Sequence, residues 1–170
     1  VFVFPVTNAT APAVTSAGVA NAEALRAENA AAVEKMLVRH GVNKERLPRV
    51  VRAIVSSSSR HGVDPRLVAS IVIVESGANP YAISEADSVG LMQIHLGTWA
   101  AIADKEDINL FKVEDNVEFG VRILRDYISA SDTWEGVARY RGKTDAPESQ
   151  RTALEYVQKV QRIYGFTPKT

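Results

Sequence analysis

Five glycines, Gly41, Gly62, Gly77, Gly142 and Gly165, each close a stretch whose apolar residues recur every three to four positions. A chain punctuated in this way is constrained to helices packed on one another. The first stretch begins at Ala22, with Ala24, Ala27, Ala31 and Leu37 before Gly41. Asn43 to His61 carries Leu47, Val50, Val51, Ile54 and Val55 on one stripe, and Pro48 fits only near its first turn. Asp64-Pro65 is an N-cap acceptor followed by a residue whose fixed φ suits the first helical position, and it predicts a helix to about Glu75. Ile71-Val72-Ile73-Val74 inside that span would, alone, suit a buried strand; the Asp-Pro start and the Gly stop favour helix.

After the Ser76-to-Pro80 break and a loop over Ser84 to Asp87, a short helix is expected near Val89. Asp115 to Ser129 follows, with Asp115-x-x-Glu118 as a relative of the capping box and Val117, Val121, Leu124 and Ile128 on one stripe. Trp134 to Tyr140 predicts another short helix. Ala153, Val157, Val160 and Tyr164 line a closing one. With no convincing pair of alternating strands, the expected class is all-α.

The 170 residues suffice for one domain with a core. The expected division is a flexible tail or export-leader remnant over 1–22, an N-terminal helix or linker over 23–42, a catalytic domain over 43–166 and a tail over 167–170. Ala20-Asn21-Ala22 has the small-x-small form of a signal-peptidase site, and this segment reads either as an export leader or as a flexible tail with no address. No apolar run approaches the roughly 20 residues that cross a bilayer. Twenty basic residues balance twenty acidic ones, which leaves no net field to concentrate a nucleic acid. The absence of cysteine excludes a disulfide framework, a thiolate metal site and a Cys nucleophile.

Chemistry enters at the end of the third helix. Val68, Ile71, Val72 and Glu75 stand at i, i+3, i+4 and i+7, so a carboxylate continues an apolar stripe. Desolvation there, and the negative end of the helix dipole, both favour the neutral acid that proton donation requires. Taken alone, a Glu in this position is more often a solvated last-turn residue.

The neighbouring residues add to that reading. Glu75-Ser76-Gly77, Asn79-Pro80, Ser84 and Gly90-Leu91-Met92-Gln93-Ile94 form an ordered block that resembles the signature of the soluble lytic transglycosylase family, related to goose-type lysozyme. Asn116, Gly120 and Leu124 resemble its Asn-x-x-x-Gly-x-x-x-Leu helix, Ala138-Arg139-Tyr140 its Ala-x-Tyr element, and Tyr156-Val157 with Val160 its closing helix. The resemblance spans about Leu47 to Tyr164. It implies a lysozyme-like helical domain with a glycan-binding cleft, Glu75 as the single catalytic acid/base, and Ser84 and Gln93 in the saccharide site.

It also implies a reaction. Glu75 would protonate the oxygen joining N-acetylmuramic acid to N-acetylglucosamine, then take a proton from the muramyl 6-hydroxyl as a 1,6-anhydro ring closes, with no cofactor and no metal. The partner implied is peptidoglycan, in the periplasm or otherwise outside the cytoplasm, and an envelope-spanning assembly is a further partner to consider. A hydrolytic muramidase is the nearest rival, with Glu85, Asp87 or Asp104 activating water. A chitin-cleaving enzyme shares the scaffold, and a glycan-binding scaffold module is a rival from a different class.

Tyr140 is the expected hydrogen-bond partner of Glu75 or of the substrate's N-acetyl group. Gln93 presents its amide to an acetamido group or ties the loop to the helix. Ser76 caps local backbone, and Met92 packs beside the cleft. Three departures from the family pattern stand out. Tyr140-Arg141-Gly142 replaces its usual Tyr-Asn element, so Arg141 either binds an N-acetyl oxygen or peptide carboxylate or serves the surface; His95 stands where Met is common and either lines a sugar subsite or is structural; Asp87-Ser88 replaces Gly-Ala.

Asp104-Lys105-Glu106-Asp107 lacks calcium-loop spacing, and His40, His61 and His95 make no zinc pattern. The polar run Ser56 to Ser59 inside a predicted helix has no functional account at this level.

Overall fold

The computed structural model describes residues 15–165; the expectations for 1–14 and for 167–170 lie outside them. Seven helices appear among these residues: α1 (Ser16–Arg39), α2 (Leu47–His61), α3 (Pro65–Ser76), α4 (Leu96–Lys105), α5 (Val113–Ser129), α6 (Thr133–Tyr140) and α7 (Pro147–Tyr164). Two short strands, β1 (Ser88–Val89) and β2 (Ile94–His95), lie between α3 and α4. The all-α class holds.

The centre of the molecule is α3, which packs against α1, α2 and α7. Leu67 through Val72 are all buried, and the one polar residue among them, Ser70, donates back to the Arg66 carbonyl at 2.7 Å, so neighbours cover this helix on most of its circumference. That explains the β-branched run, because a central helix needs bulk around its circumference and not along one stripe. Its ends are set locally. The Asp64 carboxylate accepts from the Arg66 N–H at 2.8 Å, Pro65 fills the first position, and Gly77 closes the helix in the left-handed region at φ 59°.

The next helix in the core, α2, ends where the sequence predicts, but it begins at Leu47 and not at Asn43, because Pro48 sets the first turn and residues 44–46 form a turn ahead of it. Leu47, Val50, Val51 and Ile54 are buried, Pro48 sits in the first turn, and Gly62 ends the helix at φ 65°. Its polar run divides by face. Ser57 Oγ donates to Glu118 on α5 at 2.7 Å, while Ser56 and Ser59 face outward. His61 Nε2 lies 2.6 Å from the other Glu118 oxygen and Arg60 2.8 Å from the first, so one half-buried carboxylate joins α2 to α5.

Three further expectations are corrected here. Helix α1 starts at Ser16 and not at Ala22, with the Thr15 hydroxyl accepting from Gly18 N–H at 3.2 Å; the Ala-rich segment placed in the tail has high helix propensity and its own cap. No helix begins at Val89. Ser88 and Val89 pair antiparallel with His95 and Ile94, and α4 follows at Leu96. Helix α5 begins at Val113 without a side-chain cap, so Asp115 and Glu118 do not form a capping box. Asp115 instead accepts from Lys112 Nζ at 3.2 Å, and Glu118 is committed to α2.

The α5–α6 contact depends on a missing side chain. A Cβ on Gly136 would lie 2.7 Å from the backbone of Ile128, so the two helices touch main chain to main chain. Gly136→Ala is expected to force them apart at a cost of about 2 kcal/mol, in the range of overpacking. Urea denaturation measures it, and an unchanged midpoint would show that the contact relaxes freely.

Candidate functional site

Glu75 occupies the last turn of α3, where α7, α6 and the loop between the strands converge. Its position on the stripe leaves it half-buried. From α7, the Tyr156 hydroxyl donates to Glu75 Oε1 at 2.6 Å. Arg141, the residue that caps α6, adds a positive charge that acts on Glu75 and rests over the Tyr156 ring, 6.0 Å from its centroid, at the outer edge of cation–π contact.

These neighbours act in opposite directions. Burial pushes the Glu75 carboxyl upward, while the hydrogen bond from Tyr156 and the charge of Arg141 pull it back. Burial wins, and Glu75 titrates above the ordinary glutamate range. Tyr156 is pushed well above the ordinary phenol range, first by burial and then by Glu75, and so remains a donor. Tyr140 is pushed the same way by burial and then by the Glu75 charge.

The loop beside the acid is fastened from beneath. Asn116, buried on α5, accepts from Met92 N–H at 2.9 Å and donates to the carbonyls of Val89 at 3.0 Å and Leu110 at 2.8 Å. Gly90 turns at φ 77°, and a Cβ there would collide with the Asn116 amide. From the acid's own helix, Ser76 Oγ donates to Leu91 O at 2.8 Å. Tyr140 donates to Met92 O at 2.8 Å. The same short loop is thus held from α3, α5 and α6.

This geometry redistributes the expected roles. Tyr140 lies in the neighbourhood of Glu75, but its hydroxyl is bonded to the Met92 carbonyl, and the phenol that reaches the acid is Tyr156. Sequence spacing contained a signal for this: Ala153, Tyr156, Val157 and Val160 are the buried set of α7, at i, i+3, i+4 and i+7. Met92 does not face a cleft. Its side chain is 0% exposed and lies over Gly120, since apolar bulk is more stable in the core than beside a sugar.

Gln93 takes the loop-tying option, its amide donating to Gly90 O at 3.0 Å and Ala82 O at 3.2 Å from a backbone at φ 50°. Ser84 and Ser88 are bonded to each other, Ser88 N–H donating to Ser84 Oγ at 3.0 Å, which closes the approach loop. His95 is exposed and its Nδ1 lies 2.8 Å from Thr98 Oγ1, at the start of α4. The structure therefore groups Glu75, Tyr156, Tyr140 and Arg141, and gives Ser84 and His95 polar partners elsewhere.

A groove of about 690 Å³ between α1 and α2, lined by Arg26, Val51, Arg52 and Val55 among others, shares no residue with this group. Chemistry and not cavity volume marks the site. Among the described residues no cluster of His, Asp and Glu could hold a metal ion, and no helix is long and apolar enough to cross a membrane. Compared with known families, residues 52–156 match the model described as the transglycosylase SLT domain.

Proposed function

Since the chain belongs to the transglycosylase SLT domain family, whose members are lytic transglycosylases of peptidoglycan, we propose that this protein cleaves the bond between N-acetylmuramic acid and N-acetylglucosamine without consuming water. Glu75 first gives its proton to the bridging oxygen, and the departing N-acetylglucosamine leaves as an alcohol. The neighbouring N-acetyl group stabilises the cationic carbon during this step. Glu75, now a carboxylate, accepts the proton of the muramyl 6-hydroxyl, whose oxygen closes the 1,6-anhydro ring. The acid is restored, and no second protein carboxylate is used.

The observation that carries this reading is the company Glu75 keeps. The charged group acting on it is Arg141, and no second carboxylate among the described residues shifts it. A hydrolase of the usual two-carboxylate kind needs a second acid at the scissile bond; Glu85, Asp87 and Asp104, the residues weighed for that role, are not among the groups that act on Glu75. Incubation of the protein with purified sacculi in ¹⁸O-labelled water tests the reading. Unlabelled 1,6-anhydromuropeptides are expected; labelled reducing ends would establish the muramidase instead, and saturable binding without release would establish the scaffold.

The reading also assigns work to the residues around the acid. Tyr156 holds the carboxyl in place, Tyr140 fixes the loop, and the Gln93 and Ser84 region forms one wall of the saccharide site. On this reading the catalytic unit is 43–166, and the second half of α1 packs onto it through the buried Val33 and Leu37. A peptidoglycan substrate supports a location outside the cytoplasm as part of this reading.

Tyr156→Phe is expected to lower turnover about tenfold, the scale of one hydrogen bond to a charged group. Because that bond pulls the Glu75 carboxyl down, its loss lets the acid stay protonated to higher pH. The alkaline limb of the pH–rate profile therefore moves up. A limb that stays in place or moves down would remove Tyr156 from the mechanism.

A further inference from the structure

Arg141 is the site residue whose chemistry the proposed reaction leaves unused. It follows α6 at the foot of a turn closed by Gly142, and its side chain is exposed. Its neighbours in sequence are paired: Arg139 lies 3.2 Å and Lys143 2.7 Å from the two oxygens of Glu135. No carboxylate among the described residues forms an ion pair with Arg141. Its guanidinium instead stands over the ring of Tyr156, the residue that holds Glu75. A planar fork of donors is thus left open on the solvent side of the acid, on an aromatic platform that limits its rotation. Such a fork is matched to carboxylate, which it binds by two parallel hydrogen bonds.

The proposed substrate carries carboxylates in a restricted place. N-acetylglucosamine has none; each muramoyl residue bears a lactyl arm at carbon 3 that ends either in a free carboxylate or in a stem peptide with carboxylates of its own. We propose that Arg141 is a specificity residue that binds a carboxylate of the muramoyl arm beside the scissile bond. This inference rests on the transglycosylase reading and deepens it. It assigns the cation a contact with substrate, and it ties preference among glycan strands to one side chain. Binding an anion on Arg141 also takes a positive charge away from Glu75, which favours the protonated acid once substrate is in place.

The test compares Arg141→Gln and Arg141→Lys with the parent protein on three preparations of the same strands. One carries stem peptides, one has been stripped by an amidase and ends in free lactyl carboxylates, and one has those carboxylates converted to methylamides. The readout is the ratio of kcat/KM on each charged strand to that on the neutral strand. A ratio cancels the effect of the lost cation on Glu75 itself, which is common to all three. Arg141→Gln is expected to lower the ratio about tenfold, through KM, and Arg141→Lys to restore part of it. A fall confined to stripped strands identifies the lactyl carboxylate, and one confined to peptide-bearing strands identifies the stem peptide. Unchanged ratios, or equal losses on all three preparations, would overturn the proposal. Cleavage of none of them by the parent protein would instead overturn the transglycosylase reading on which it rests.

Discussion

Glu75→Gln protein is expected to release no anhydromuropeptide above background, a loss on the order of 10⁴-fold, while folding normally. Each positioned proton transfer contributes about 10² to 10⁴ in rate, and the proposed cycle asks the same carboxyl for two. Glutamine keeps the shape of the side chain and still accepts the hydrogen bond from Tyr156, yet it offers no acidic proton and no base. Stability moves the other way. The folded acid titrates above its ordinary range because of burial, so as pH rises through the value of the unfolded chain the charge is better accommodated there and the folded state is weakened. Removing the charge leaves the unfolding midpoint equal or higher. Loss of activity together with a lower midpoint would mean that Glu75 serves the fold and not the reaction.

The second large effect is at Asn116, which makes no contact with Glu75. Its amide satisfies the Met92 N–H and the carbonyls of Val89 and Leu110, all from a side chain 1% exposed. Asn116→Ala strands three main-chain groups around the loop that Tyr140 and Ser76 also hold. At roughly 1 to 3 kcal/mol for each buried group left unpaired, partly relieved by entering water, the expected cost is about 4 kcal/mol. That corresponds to roughly 10 °C in Tm for a domain of this size. Activity is expected to fall further than stability explains, because the loop against the acid loses its anchor on α5. Calorimetry measures the first effect, and kcat at a temperature where the variant is fully folded measures the second. A cost below about 1 kcal/mol would show that the loop is held by its other contacts alone.

Asn116 also shows where sequence reasoning stops. Helix α3 and the end of α2 were legible because their boundaries are written in adjacent residues, Asp64-Pro65 and Gly77 for the first and Gly62 for the second, whereas the start of α2 lies at Leu47 and not at the expected Asn43. The hairpin of Ser88–Val89 and Ile94–His95 has no such punctuation. It is too short to alternate, and the residue that shapes its turn is 24 positions away on another helix. Local pattern therefore suggested a helix where tertiary hydrogen bonds impose a turn. The start of α1 failed for the opposite reason, since an Ala-rich segment reads equally as tail or helix until Thr15 is seen to cap it.

At the site, the acid was legible and its partner was not. Spacing on α3 put Glu75 on the apolar face, and the structure leaves it half-buried there. Tyr140 and Tyr156 are both phenols that need an acceptor, and a linear sequence does not say which acceptor each will meet. Packing decides it: α6 brings Tyr140 to the Met92 carbonyl and α7 brings Tyr156 to the carboxyl. Met92 posed the same problem, because an apolar residue next to a functional Gln suits either a cleft wall or a core.

The claim beneath all of this is that burial raises the Glu75 carboxyl above its ordinary range while Tyr156 and Arg141 pull it part of the way back. Following its side-chain carboxyl carbon by NMR through a pH titration, with Glu75→Gln to assign the resonance, tests that claim most directly. The account predicts a midpoint above the 4.5 of an ordinary glutamate, and a further rise in Tyr156→Phe. A midpoint at or below 4.5 would contradict it, for a carboxyl already ionised at that pH is no proton donor to a sugar.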